Sequence, residues 1–502
     1  VNLISLIPFG VIVTTGILLL LYEVFAERSD RTFCAHIAIA GSLIALYLTI
    51  LQLGDAPQIP FPLKERGPPI LVDAFSTYSS IVMIAGAILA CLFSPGYVKN
   101  ADADHGEYYA LILFAVAAMM VMAMAGDLIV FFLGLEAMSL AVYALTGLRR
   151  NDPRASEAAL KYFLMGSFAT GFLLFGIALI YGVTGGIPDH RGVALADLAY
   201  AMRVDEISAQ PLLALGLVLV VIGFAFKVAA VPFHMWAPDV YEGAPTPITG
   251  FMAVGVKTAA FVALLRIVMV GLRTPGQGED QAWITLLGAL AVTTIVGGNI
   301  LALVQQNVKR MLAYSSISHA GYILIGVVAA ARGEDSAGEA VLFYLAAYTF
   351  MTLGAFGVLT FLERKDGGFE AERFGAYAGI GYKHPALGFA MVLFMIALGG
   401  IPPTAGFFGK LYIFSSAIRA GETPLAIVGI FGSVVSVYYY LRVVVAFYMR
   451  DVPDPGPVPT ATRTAQLAIG LTIAVVAVLA IGIFPSQWIE LGRTAIESLG
   501  IG

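Results

Sequence analysis

Charge is what this chain most lacks: Asp, Glu, Lys and Arg make up only 12% of its 502 residues. A soluble domain of that length needs far more polar surface to cover its core. Cysteine is nearly absent too, with Cys34 and Cys91 both inside apolar stretches. An iron–sulfur cluster takes about four thiolate ligands, so this chain holds none by itself, and both thiols read as small buried hydrophobes. The net charge of −5 is spread over loops without a basic stripe, which argues against nucleic acid as a partner. No Gly-rich phosphate loop follows a strand, and no His/Cys/carboxylate set has metal-ligand spacing.

What is there is hydrophobic: 59% of the residues, with a mean hydropathy of +0.88. These residues come in blocks of about twenty, the thickness of a bilayer core, such as Ile4 to Leu21 and Leu212 to Phe226. The expected fold is an all-α polytopic membrane protein. Counting blocks between charged or Pro/Gly-rich breaks predicts about fourteen transmembrane helices. They fall at 3–24, 32–53, 72–95, 108–126, 128–148, 155–183, 211–236, 244–271, 282–303, 309–331, 338–362, 384–420, 424–449 and 463–485. The first block lacks a basic leader and is too long for a signal h-region, so it reads as a membrane helix and not a cleavable signal.

Two of the fourteen are expected to be broken in mid-membrane. The seventh carries Pro232 and Pro238 around a His-Met-Trp, and the twelfth carries Gly399, Gly400, Pro402 and Pro403. Proline removes a backbone donor and clashes with the preceding turn. Unwound backbone is tolerable in a bilayer only where protein buries it or a hydrated cavity meets it. The breaks lie five spans apart, and Ser139, Tyr143 and Gly147 share their spacing with Ser318, Tyr322 and Gly326. That pattern predicts two inverted five-helix repeats. The expected organisation is an N-terminal three-helix region (1–107), a first repeat (108–271), a second repeat (282–450) and a C-terminal helix and tail (451–502). Lys and Arg are richer in the alternate loops that hold Arg28, Arg149, Arg150, Arg154, Lys309, Arg310, Arg364, Lys365 and Arg450. The positive-inside rule puts those loops in the cytoplasm and both termini on the other side.

The charges inside the apolar blocks carry the functional information. Each ionised side chain at mid-bilayer costs roughly 2.5–3.5 kcal/mol, so five would cost on the order of 15 kcal/mol, more than many domains have to spare. Such groups persist where they are paired, hydrated or neutral, and mostly where they work. Glu136 lies well inside the fifth span, with Ser139 and Tyr143 at i+3 and i+7 on its face. It suits a proton-carrying carboxylate or a static ion pair. Lys161, about one and a half turns into the sixth span, could serve a relay or snorkel to the interface. Lys227, Lys257 and Lys410 lie too deep for easy snorkelling. Lysine in water holds its proton tightly, burial loosens that hold, and a nearby carboxylate restores it. Glu136 with Lys227 is therefore the expected switching pair, with Lys257 the next acceptor. His234 follows Lys227 across the first break and is open to a relay role or a structural hydrogen bond. His319 belongs to a polar stripe with Ser315, Ser318 and Tyr322, which suits a hydrated wire or helix–helix hydrogen bonds.

Three stretches resemble a known family: FKVAAVPFHMWAPDVYEGAPTPIT (226–249), KRMLAYSSISHAGYILIG (309–326) and GGIPPTAGFFGKLYIF (399–414). They are similar to subunit N of proton-pumping NADH:quinone oxidoreductase, respiratory complex I, whose mitochondrial counterpart is NADH dehydrogenase subunit 2. The similarity runs over most of the chain and is weakest in the loops and the last helix. The VYEGAPTPIT segment is specific to this subunit. The resemblance implies fourteen helices, two inverted repeats and proton movement driven by quinone reduction elsewhere in the complex. It also implies site residues: the helix-five glutamate is matched by Glu136, the helix-six lysine by Lys161 and the lysine of the first broken helix by Lys227. The central lysine of helix eight is matched by Lys257 and that of the second broken helix by Lys410, with no departure at these positions. Lysine at 410 fits subunit N and not the M type, and the long lateral helix of the L type is not expected.

By the same resemblance, NADH, flavin, iron–sulfur clusters and quinone are bound by other subunits, so no cofactor is expected on this chain. The implied partners are the small subunits A, J and K, the antiporter-like subunit M and the lipid bilayer of a bacterial inner or equivalent energy-transducing membrane. The rival reading is a subunit of a multisubunit cation/proton antiporter, which shares the buried Lys/Glu set. VYEGAPTPIT and Lys410 favour complex I over it. A structural scaffold without a proton path is the remaining alternative.

Overall fold

A computed structural model describes residues 3–25, 32–62, 67–100, 106–187, 192–273, 281–362, 373–450 and 464–500. Arg28, Arg364 and Lys365, which contribute to the expected orientation, lie outside the described residues. The described residues are predominantly helical. A short 3-10 turn, Ile4–Leu6, leads into α1 (Ile7–Phe25), followed by α2 (Thr32–Leu51), α3 (Ala74–Asn100), α4 (Gly106–Met124), α5 (Leu128–Thr146) and α6 (Pro153–Thr184). Two short helices, α7 (Leu195–Arg203) and α8 (Asp205–Ser208), precede α9 (Pro211–Lys227) and α10 (Trp236–Gly243). Next come α11 (Thr246–Phe251) and α12 (Lys257–Arg266), joined by a π turn over Met252–Val256 and extended by another over Ile267–Leu272. The remainder is α13 (Ala282–Val304), α14 (Val308–Ala331), α15 (Asp335–Leu362), α16 (Ile380–Lys383), α17 (Pro385–Gly399), α18 (Ala405–Arg419), α19 (Thr423–Tyr448), α20 (Ala465–Ile483) and α21 (Pro485–Glu497).

Twelve helices among the described residues are long and apolar enough to cross a membrane, and α9 and α17 are shorter apolar helices. The chain is an integral membrane protein. Polar residues set the helix starts: the Asp127 carboxylate accepts from Ile129 N at 2.6 Å, that of Asp152 from Arg154 N at 3.0 Å with Pro153 next to it, and Asn307 Oδ1 from Arg310 N at 3.2 Å. Each satisfies a backbone donor that the first turn leaves open. The core consists of α3, α11–α12, α14 and α15, whose apolar stretches are about nine-tenths enclosed by the other helices. α1, α2, α6, α19 and α20 surround them and expose apolar side chains such as Phe168 (71%) and Phe431 (69%). An outer surface of that kind is suited to lipid or to apolar partners, not to water.

Both expected breaks are present. The first runs from Val228 to Met235 and the second from Gly400 to Thr404. Pro232 lies in the first, but Pro238 does not: it sits in the opening turn of α10, where its missing N–H leaves no bond unmade. Neighbouring groups take up the freed backbone atoms. Thr294 Oγ1 accepts from Val231 N at 2.9 Å, Thr293 Oγ1 donates to Val231 O at 3.1 Å, and Trp236 Nε1 donates to Phe226 O at 3.1 Å. Unwound backbone at this depth requires such protein partners. α7 and α21 are helices that the sequence reading did not separate from loop and tail.

Candidate functional site

Lys227 is the last residue of α9 and is 2% exposed. Its Nζ donates to Ser139 Oγ at 2.7 Å and Tyr143 OH at 3.2 Å, and lies 5.4 Å from the Tyr143 ring centroid. Both partners project from α5 on the face that carries Glu136, as their spacing requires. Glu136 is within electrostatic range of Lys227 and Tyr143. It makes no direct ion pair with the lysine, and its buried Oε1 has no hydrogen-bond partner among the described residues. The hydrogen bonds of Lys227 thus go to the serine and the tyrosine of that face, and its relation to Glu136 is electrostatic.

Lys257 opens α12 directly after the π turn and is 1% exposed. Its Nζ donates to both the carbonyl and the hydroxyl of Ser316, at 2.6 and 2.5 Å. Tyr348 OH donates to the same hydroxyl at 2.8 Å. π turns concentrate at functional sites because they re-aim the side chains that follow them. His319, one turn along α14 from Ser316, joins Tyr344 OH through Nδ1 at 2.5 Å and Tyr440 OH through Nε2 at 2.8 Å. It lies within electrostatic range of both Lys257 and Lys410. Its ring centroid is 5.1 Å from that of Tyr348.

Lys410 sits on α18, 4% exposed. Its Nζ reaches back to the end of α17, donating to Leu398 O and Gly399 O at 3.1 Å each, and to Ser433 Oγ on α19 at 2.9 Å. The C-terminal carbonyls of a helix are open acceptors carrying partial negative charge. Nζ is also 5.1 Å from the centroid of Tyr322. Gly400, with φ +78°, leaves the room, since a Cβ there would lie 2.9 Å from Lys410 Cδ.

The other predicted residues stand apart. Lys161 is 42% exposed on its side chain and ion-paired to Glu157 at 2.7 Å and Asp239 at 2.9 Å. Asp239 also pairs with Arg310, which pairs with Glu242, so α6, α10 and α14 meet in one charged network. Among the described residues, no hydrogen bond or ion pair joins Lys161 to Glu136 or Lys227. His234 lies half-buried in the first break, without a hydrogen bond to Lys227. The polar stripe on α14 divides: Ser315 and Ser318 donate to carbonyls of their own helix, while His319 and Tyr322 bond across helices.

Several participants were missed from the sequence. Ser316, Ser433, Tyr344, Tyr348 and Tyr440 are uncharged and unremarkable until packing brings them to a lysine or to His319. Asp239 and Glu242 had a signal, two carboxylates at i,i+3 on a short helix opposite Arg310. So did Arg266, which lies inside the eighth apolar run yet has no role in the sequence reading. It is 1% exposed and forms a bidentate pair with Asp73, at 2.8 and 2.7 Å. Among the described residues, no group of three or more His, Cys, Asp or Glu side chains is placed to hold a metal ion.

Residues 125–436 match the family model described as NADH:quinone oxidoreductase/Mrp antiporter, TM. The chain is 43% identical over 508 residues to NADH-quinone oxidoreductase subunit N 1 of Sorangium cellulosum, covering 98% of each chain. It is similar to a chain of respiratory complex I from Thermus thermophilus, at 33% identity and a TM-score of 0.78 over 96% of this chain and 98% of that one. Its likeness to a chain of the Mrp complex from Dietzia, with a TM-score of 0.83 over 99% and 98%, comes at 22% identity and concerns the fold alone. A helical membrane fold with two broken helices thus coincides with full-length similarity, and the chain belongs to the NADH-quinone oxidoreductase subunit N family, the antiporter-like membrane subunits of complex I.

Proposed function

We propose that Glu136, Lys227, Lys257, His319 and Lys410 form the proton relay of this subunit. Lys161 stands at its cytoplasmic mouth, and His234 is a polar group in the first break. The observation that carries this reading is the partner set of the three buried lysines. All are at most 4% exposed, and each is bonded to hydroxyl or carbonyl oxygens instead of a carboxylate. A direct carboxylate partner would hold a lysine charged. Neutral oxygens leave its protonation free to follow a charge that moves nearby, and Glu136 is that charge for Lys227. His319 and its tyrosines span the interval between Lys257 and Lys410.

Taking each broken pair, α9–α10 and α17–α18, as one crossing brings the count to fourteen, in two inverted repeats spanning 108–271 and 282–450. Both termini then face away from the cytoplasm of a bacterial inner membrane or its equivalent. The subunit assembles with others of the complex, of the A, J, K and M types. Those and the remaining subunits bind NADH, flavin, iron–sulfur clusters and quinone, and quinone reduction there drives proton movement here.

The test is proton pumping by the assembled complex carrying Lys257→Met, with NADH oxidation by an artificial acceptor as the control for assembly. Pumping should fall severely while that control is unchanged. A normal proton-to-electron ratio in the variant would remove Lys257 from the relay.

A further inference from the structure

The three buried lysines differ in how their partners can respond to a lost proton. An ammonium donates three hydrogen bonds and accepts none, whereas a neutral amine donates two and accepts one. Carbonyl oxygens only accept. A serine hydroxyl does either, according to where its hydrogen points. Lys410 has two carbonyl partners, Leu398 O and Gly399 O, and one hydroxyl, Ser433 Oγ. That set satisfies the ammonium with all three oxygens accepting. It equally satisfies the amine, with two carbonyls accepting and the hydroxyl donating to the nitrogen lone pair.

The hydroxyl is free to turn. Among the described residues, Ser433 Oγ has no bond other than that to Lys410, since Ser436 Oγ donates to the Ser433 carbonyl and not to its side chain. Ser139 at Lys227 is placed differently, because its hydroxyl already donates to Leu135 O at 2.5 Å. At Lys257 the hydroxyl and carbonyl come from one residue, and Tyr348 also donates to that hydroxyl. Tyr143 OH at Lys227 and Ser316 Oγ also accept from a lysine, but Lys410 alone of the three has its hydroxyl on one helix opposite two fixed carbonyls on another.

We propose that Ser433 is a positioning residue for Lys410, whose hydroxyl reverses its hydrogen bond when the lysine changes protonation state and so keeps three partners on the nitrogen in both states. The lysine can then load and discharge without leaving its seat. Nothing larger than one O–H rotation is required, and such rotations are fast beside pumping. This rests on the reading of Lys410 as a relay group.

The test uses the assembled complex in proteoliposomes and compares Ser433→Thr with Ser433→Val, which share a shape and differ in the hydroxyl. Ser433→Ala and Lys410→Met are measured beside them, and NADH oxidation by an artificial acceptor reports assembly. Ser433→Val and Ser433→Ala should slow pumping about 3- to 10-fold, the loss of one part-buried hydrogen bond, while Ser433→Thr retains most of it. If valine matches threonine, or alanine exceeds it, Ser433 serves packing only and the proposal is overturned. Normal pumping by Lys410→Met would instead overturn the relay role of the lysine, and this proposal with it.

Discussion

Arg266 and Asp73 face each other as a bidentate ion pair, at 2.8 and 2.7 Å, with 1% and 5% of their surfaces exposed. The pair ties α12 to the start of α3. There Ser76 N donates to Asp73 Oδ1 and Asp73 N donates to Ser76 Oγ, so the carboxylate also caps the helix. The Arg266 guanidinium lies 4.8 Å from the Phe75 ring centroid. Removing one partner of a buried pair strands the other charge, at a cost of about 3–5 kcal/mol. Asp73→Ala should therefore reduce the amount of assembled complex and its thermal stability. The double variant Asp73→Asn with Arg266→Met should recover much of the loss, and additive single effects would contradict the coupling.

Lys227 depends on two hydroxyls for its position. Tyr143→Phe keeps the ring and removes the longer of the two bonds, so pumping should fall about 2- to 5-fold. Ser139→Ala removes the shorter one and should cost more. Both variants should assemble normally, as judged by NADH oxidation with an artificial acceptor. An unchanged rate in the double variant would show that Lys227 needs neither group.

Gly400 is required for two reasons, its φ of +78° and the space it leaves for Lys410. A Cβ would strain the backbone by about 1–2 kcal/mol and press on the lysine side chain at 2.9 Å. Gly400→Ala should lower pumping more than it lowers assembly. Proportionate loss of the two would assign the glycine to folding alone.

Lys161 should behave unlike the three deep lysines. Its ion pairs are about two-fifths exposed on the lysine side, where such pairs contribute about 0–1 kcal/mol and weaken with salt. Lys161→Met should leave the complex assembled and reduce pumping less than Lys227→Met does. Equal and severe loss in both would place Lys161 within the relay proper.

Much of this was legible in the sequence because a bilayer permits few solutions. Span positions followed from apolar block length to within a few residues, as with α13 at Ala282–Val304 against an expected 282–303. Glycine and proline marked the second break correctly and the first by Pro232, but a proline in an opening turn, Pro238, looks the same in sequence as one in a break. The depth of Lys227, Lys257 and Lys410 was also readable. Their partners were not. Ser316 and Ser433 are common residues on other helices, and only packing brings them within 3 Å of a lysine. Glu136 was expected beside Lys227 because a carboxylate restores a buried lysine's hold on its proton, and it lies within electrostatic range, but the hydrogen bonds of the lysine to Ser139 and Tyr143 were not foreseen.

Lys257 and Arg266 bound one short helix, nine positions apart, and at about 100° per residue their side chains leave it in nearly opposite directions. One turns to Ser316 and the tyrosines, the other to Asp73. α12 thus acts as a spindle with its working charge on one side and its mooring on the other, flanked by wider turns at both ends that fix its rotation. Adding or deleting a single residue between the two would misaim one of them by roughly a quarter turn or more, so the length of this segment matters as much as its composition.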